Sequence, residues 1–287
     1  MSATIVLQYN RFSCSGKHVH MAWIHCDETS VTLHGNTFQR NNRYAAVDLN
    51  LPNVPMIHIT ENTFVSLQGG ALSLRLGRAV DSGVNSVVIS DNVFTDVGRA
   101  QSAVSVTCYS GSSNILNITL TRNDFYSNLA TTTLVTNCGG LFVTENVFAN
   151  PLATRDYEVQ VQYEHIATMF APLNYWNATT FGEIAVRIYD YADDLSKSVV
   201  EVSPWYIDQN RTQTASGKNE FFKGPFEIGG LMDSDITVSS TEQSYRVTQN
   251  IIIPHGRRLV IEAGVQLLFV GSGIIVEGEC SLILYVH

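Results

Sequence analysis

Ile57-His58-Ile59-Thr60-Glu61-Asn62-Thr63-Phe64 reads apolar, polar, apolar, two polar residues, asparagine, any residue, phenylalanine. The same eight-residue pattern recurs from Ile5 to Phe12, Val31 to Phe38, Val87 to Phe94, Ile118 to Phe125 and Leu141 to Phe148. Its asparagines are Asn10, Asn36, Asn62, Asn92, Asn123 and Asn146, at spacings of 26, 26, 30, 31 and 23 residues. Its phenylalanines, Phe12, Phe38, Phe64, Phe94, Phe125 and Phe148, are six of the 13 in the chain. A recurring period in this range marks a solenoid.

The aliphatic positions five and three before each asparagine alternate with polar ones, as in a strand with one buried face. Ala46-Val47-Asp48-Leu49, Gly70-Ala71-Leu72-Ser73-Leu74 and Ala103-Val104-Ser105-Val106 look like second strands of the repeat. Helical solenoids need 3.6-period runs of ten or more residues, and residues 1–150 contain none. The expectation is an all-β fold: a right-handed parallel β-helix, or pectin-lyase-like solenoid, whose coils stack at about 4.8 Å. Asparagine is expected to take the left-handed conformation of the turn and to bond its copy one coil away. Phenylalanine two residues later is expected to stack on its copies in the core.

The 287 residues carry 17 basic and 26 acidic side chains, a net charge of −9, with no Lys/Arg cluster. Nucleic acid and anionic membrane are therefore poor partners, and uronic-acid substrates would be repelled. No run of 18 apolar residues is present, so any membrane attachment must come from a segment outside this chain. Ile5-Val6-Leu7 is too short for the apolar region of a signal peptide. The first coil starts almost at Met1 and the last pattern stops at Leu284-Tyr285-Val286-His287, which reads as a fragment of a longer protein.

Five cysteines, Cys14, Cys26, Cys108, Cys138 and Cys280, include no C-x-x-C pair. Cys108 and Cys138 follow their repeat asparagines by 16 and 15 residues, so neighbouring coils bring them close enough for a disulfide or for two buried thiols. Asn117-Ile118-Thr119, Asn177-Ala178-Thr179 and Asn210-Arg211-Thr212 fit the glycosylation pattern, a match that chance also supplies in a chain this rich in Asn, Ser and Thr.

Beyond residue 150 the chain divides into a closing segment (151–205), a connector (206–240) and the start of a second β-helix (241–287). Val159, Val161 and Tyr163 alternate as a strand does, and Thr180-Phe181-Gly182-Glu183 has capping-box spacing. Ile184 and Ile188, four apart, predict a helix with an apolar stripe that ends near Tyr191-Ala192-Asp193-Asp194. Leu51-Pro52-Asn53-Val54-Pro55 and Ser110-Gly111-Ser112-Ser113-Asn114 read as turns.

Asn174-Tyr175-Trp176-Asn177, the short Ile-containing helix, the aspartate-rich loop and Ser203-Pro204-Trp205 follow the Asn-x-Phe coils. This arrangement resembles the β-helix regions of the bark beetle (anakonda) family over essentially the whole chain. Asn177 stands where the resemblance expects glycine, a substitution compatible with positive φ. The resemblance implies a module in a large ectodomain of single-pass membrane proteins at tricellular junctions of invertebrate epithelia. It implies an extracellular, non-catalytic role in junction assembly or adhesion, with other cell-surface proteins, or the module itself, as partner.

The rival class is a secreted carbohydrate-active enzyme or glycan-binding β-helix, which places clustered carboxylates with Arg or Lys on outward strand faces. Outward rows of the repeat strand hold Gln8, His34, Thr60, Ser90, Thr121 and Thr144, and Val6, Thr32, His58, Val88, Thr119 and Phe142, with no carboxylate pair. On the second strands Asp48 and Arg75 are expected to be neighbours. His18, His20 and His25 with Cys26 suit no common zinc spacing, and Asp190, Asp193 and Asp194 lack the glycine and glutamate of an EF-type loop. No catalytic residue, metal site or cofactor is assigned.

Overall fold

The computed structural model describes residues 3–13, 20–27, 29–40, 44–54, 56–79, 86–98, 101–109, 117–151, 157–162, 168–194, 196–217, 221–232 and 234–277. Three parallel sheets run along one axis, each of the first six coils giving a strand to each sheet. The first stacks Ala3–Gln8, Thr29–His34, Met56–Thr60, Ser86–Ser90, Asn117–Thr121, Leu141–Thr144, Met169–Phe170 and Val200–Glu201. The second stacks six three-residue strands, from Arg11–Ser13 to Val147–Ala149. The third runs from Ala22–His25 through Val47–Val54, Leu72–Ala79, Ser102–Cys108, Thr132–Thr136 and Tyr157–Val161 to Ile188–Tyr189. This is a parallel β-helix, and the repeat is in strict register: Leu33, Ile59, Ile89, Leu120 and Val143 pair coil by coil and are fully buried.

The Asn ladder and the ring stack explain that register. From Asn10 to Asn146, each asparagine donates its backbone N–H and one Nδ2–H to Oδ1 of the next, at 2.8–3.2 Å. The ladder continues one step past the sequence pattern, to Asn174. The second amide hydrogen caps a strand carbonyl of the previous coil, as Asn92 does with Ile59 at 2.8 Å. Beside it the rings stack face to face from Phe12 to Phe148 with centroids 4.7–5.2 Å apart, and Trp176 extends the column at 4.7 Å from Phe148.

The expected backbone role of asparagine is corrected. Positive φ falls on the residue before it: Tyr9, Gly35, Glu61, Asp91, Arg122, Glu145 and Leu173, at 53–64°. The preceding residue takes the reversal, which leaves the asparagine side chain aimed inward at its copy. Asn177 does have positive φ, 53°.

Three further readings change. Leu51–Val54 is not a turn, because the strand Val47–Val54 runs through it. A Cβ on Gly77 would collide with the Pro52 carbonyl, so the strand passes only because residue 77 lacks one. The capping box at Thr180 and Glu183 forms, but the helix is a single turn, Phe181–Ala185. Ile188 is buried in a strand of the third sheet, so its spacing from Ile184 is not a helical stripe.

Segment 151–205 prolongs the solenoid rather than merely closing it. Met169–Phe170 and Val200–Glu201 join the first sheet, and Ile188–Tyr189 the third. The span 206–240 is not a plain connector either. Trp205–Tyr206 pairs with Thr214–Ala215, and the resulting hairpin lies against the second sheet through Arg211 Nη2 to Asp124 and Gln209 Nε2 to the Tyr126 hydroxyl, 3.1 Å. Phe222–Gly224, Glu227–Leu231 and Ile236–Val238 already belong to the second unit, whose core holds Ile228, Val238, Val247 and Ile251. Cys14, His18, Tyr163, Cys280, the 110–114 turn and residues 278–287 lie outside the described residues.

Candidate functional site

The outer face of the third sheet gathers chemically active side chains at its first four coils. Strand register puts Trp23, Asp48, Ser73 and Ser105 in one outward row, and His25, Asn50, Arg75 and Thr107 in the next. Asp48 and Arg75, 27 residues apart, form the expected pair: Arg75 Nη2 donates to both carboxylate oxygens, at 3.0 and 2.8 Å. Ser73 Oγ adds a bond to Oδ1 at 3.3 Å.

His20 joins this group through a loop contact. Its Nδ1 lies 2.9 Å from the Ala45 carbonyl, which can only accept, so Nδ1 carries the proton. Its Nε2 then faces Asp48 Oδ2 at 3.8 Å. Three aromatic side chains surround the polar centre. Trp23 is 65% exposed; Tyr44, ring to ring with His20 at 5.0 Å, and Tyr109 are 46% and 44% exposed. Tyr109 reaches back over two coils to donate its hydroxyl to Asn50 Oδ1 at 2.6 Å.

Asp48 accepts from a guanidinium and a hydroxyl, and its outward row holds no second carboxylate. Asp48 is a fixed acceptor held against a fixed donor. Among the described residues no group of His, Cys, Asp or Glu is placed to hold a metal ion. His25 and Cys26 do not meet His20 in any such group.

The other sequence candidates separate. Cys108 and Cys138 are joined by a disulfide across neighbouring coils, with Cα atoms 5.1 Å apart. Asn117, Asn177 and Asn210 are all exposed. Asp190 organises a turn, accepting from Ala192 N–H and Val200 N–H at 2.9 Å each, and burial pushes its carboxyl up to about 6. Asp194 caps Ser196 N–H at 2.9 Å, and that bond holds its carboxyl below the usual range. A cavity of about 420 Å³ beside Asp190, walled by Phe181, Ile184, Val200 and Leu231, is mostly apolar and distant in the chain from the third-sheet cluster.

Sequence reading missed a buried polar chain at the last coils. Asn128 N–H and Nδ2 both donate to Asn150 Oδ1, and Asn150 Nδ2 donates to Glu158 Oε2 at 3.0 Å. Glu158 faces the buried Arg187, Nη1 to Oε1 3.7 Å, and Arg187 Nη2 donates to the Asn177 carbonyl. A carboxylate with no exposure tolerates its surroundings only when paired and hydrogen-bonded in this way.

Comparison with protein-family models, with curated proteins and with solved structures returned no match. No helix among the described residues is long and apolar enough to cross a membrane.

Proposed function

We propose that this chain is a non-catalytic extracellular β-helix module of a large cell-surface protein and that it serves cell–cell junction assembly or adhesion. The observation that carries the reading is the run of in-register outer faces, seven and eight strands wide, on a core locked by the ladder. The eight stacked strands of the first sheet, at about 4.8 Å per step, extend roughly 34 Å, and stacked coils resist bending. Such a body holds a recognition surface at a fixed distance from a membrane.

Two further features support it. The Cys108–Cys138 disulfide suits an oxidising compartment. The Asn-x-Phe coils followed by Asn174-Tyr175-Trp176 and Ser203-Pro204-Trp205 resemble the bark beetle family of junction proteins. Its partners are other cell-surface proteins, their glycans, or a second copy of the module.

The test is clustering of beads or non-adherent cells displaying the disulfide-intact chain, alone and mixed with epithelial cells. Clustering above that of an unrelated displayed protein is the expected result. Absence of both self-clustering and epithelial attachment would refute the reading. A second reading, a carbohydrate-active enzyme, has the Asp48–Arg75 pair in its favour and is separated by turnover measurements.

A further inference from the structure

We infer that the third-sheet face around Trp23 is a binding site for a neutral sugar ring, the group through which this module engages a glycan on an opposing surface. The inference rests on the adhesive reading above and names the ligand class of the site.

Trp23 presents a large apolar ring to solvent from the middle of a paired strand, Ala22–His25. Leaving a ring this size in water forgoes the gain from burying it. On a strand its backbone is already ordered, so covering it costs little further entropy. Tyr44 and Tyr109 add two more part-exposed rings, and both are oriented by contacts, Tyr44 with His20 and Tyr109 with Asn50.

The polar groups between the rings are of mixed kind. Asp48 accepts, Arg75 donates, and Asn50 and Ser73 carry groups of both kinds. Asp48 and Arg75 compensate each other, so this pair offers no net charge to an ionic ligand. A pyranose has an apolar C–H face for an aromatic ring and hydroxyls that both donate and accept. It therefore matches rings and polar groups together. A lipid chain would leave the polar groups unpaired. An extended peptide would bond along the outer edge of Ala22–His25, which pairs only with Val47–Val54 among the described residues, and would leave the rings and side-chain groups of the outer face uncovered. From Trp23 to Ser73 the row spans three coils, about 10 Å, room for one or two rings.

The experiment uses the disulfide-intact chain titrated with neutral mono- to tetrasaccharides of glucose, galactose, mannose and N-acetylglucosamine. The signals are tryptophan emission and calorimetric heat. Of the three tryptophans, Trp176 and Trp205 are buried at 0% and 3% exposure, so a change in emission reports Trp23. Saturable quenching with at least one series, at a Kd of about 1 mM or tighter, is expected. Trp23→Ala abolishes it in both signals. Trp23→Phe keeps the heat within about tenfold while losing the emission change, and Arg75→Ala weakens binding at least about tenfold. No saturable response, binding by Trp23→Ala equal to wild type, or a response confined to acidic oligosaccharides and lost in high salt would each overturn the inference. Bead clustering separates the two claims. If Trp23→Ala beads cluster as wild type does and no sugar binds, only the sugar site fails. If sugar binds but no bead clusters and no cell attaches, only the adhesive reading fails.

Discussion

Asn62 gives two protons to one oxygen: its backbone N–H and its Nδ2–H both reach Oδ1 of Asn92, at 2.9 and 3.0 Å. Asn92 in turn donates Nδ2 to Ile59, Ser90 and Asn123, and its own surface is fully buried. One amide thus satisfies backbone groups on two coils and the Asn123 side chain on a third, and truncating it leaves several of them unpaired.

Asn92→Ala is expected to cost at least about 1–3 kcal/mol, the penalty for a buried partner left without a bond. Thermal or urea melting of the variant checks this. A midpoint equal to wild type would mean that the ladder does not stabilise the interior coils.

Legibility follows the repeat. Six asparagines and six phenylalanines stand out because each coil spends the same residue on the same physical task, filling one column of the stack. The seventh members do not stand out, because Trp176 replaces phenylalanine. Yet Asn174-x-Trp176 keeps the spacing of Asn146-x-Phe148 28 residues on, and that signal was present in the chain. Asn128 and Asn150 form a ladder of only two members, too short to show as periodicity. The contacts of His20 with Asp48 and of Tyr109 with Asn50 depend on loop paths and side-chain reach, which spacing does not encode. The left-handed residue was misplaced because Asn is the residue type that tolerates that conformation best. Here Tyr9, Glu61, Arg122 and Glu145 adopt it instead.

Trp176→Ala removes the buried end of the ring column, and a loss of about 3–5 kcal/mol is expected. Trp176→Phe restores the residue of the other coils and is expected to lose clearly less. Urea denaturation of the two variants gives the comparison. Equal losses would show that filling the column with an aromatic ring is not what matters there.

Reducing Cys108–Cys138, which closes a separation of 30 residues, is expected to lower stability by about 3–4 kcal/mol through the longer reach of the unfolded chain. Denaturation of the wild type with and without reductant, set against Cys108→Ser/Cys138→Ser, measures it. An unchanged midpoint on reduction would contradict the prediction.

Asp190 supplies a pH test. Burial, chiefly, and the Asp193 carboxylate lift its folded pKa to about 6 from an ordinary 3.8. Between those values the folded state holds the proton more tightly than the unfolded chain, so Asp190 favours folding in acid and this contribution is lost as pH rises from about 4 to 6. The stability of wild type minus that of Asp190→Asn is therefore expected to fall across this window. A difference that rises or stays flat between pH 4 and pH 7 would refute the assignment.

The central claim, that the outer faces recognise and do not transform, meets its most direct test in a turnover screen. The disulfide-intact chain is incubated with neutral and acidic polysaccharides, with and without calcium, and new reducing ends and unsaturated products are quantified. The account predicts no product above the no-protein control. Product formation abolished by Asp48→Ala or Arg75→Ala would contradict it and make the third-sheet face an active site.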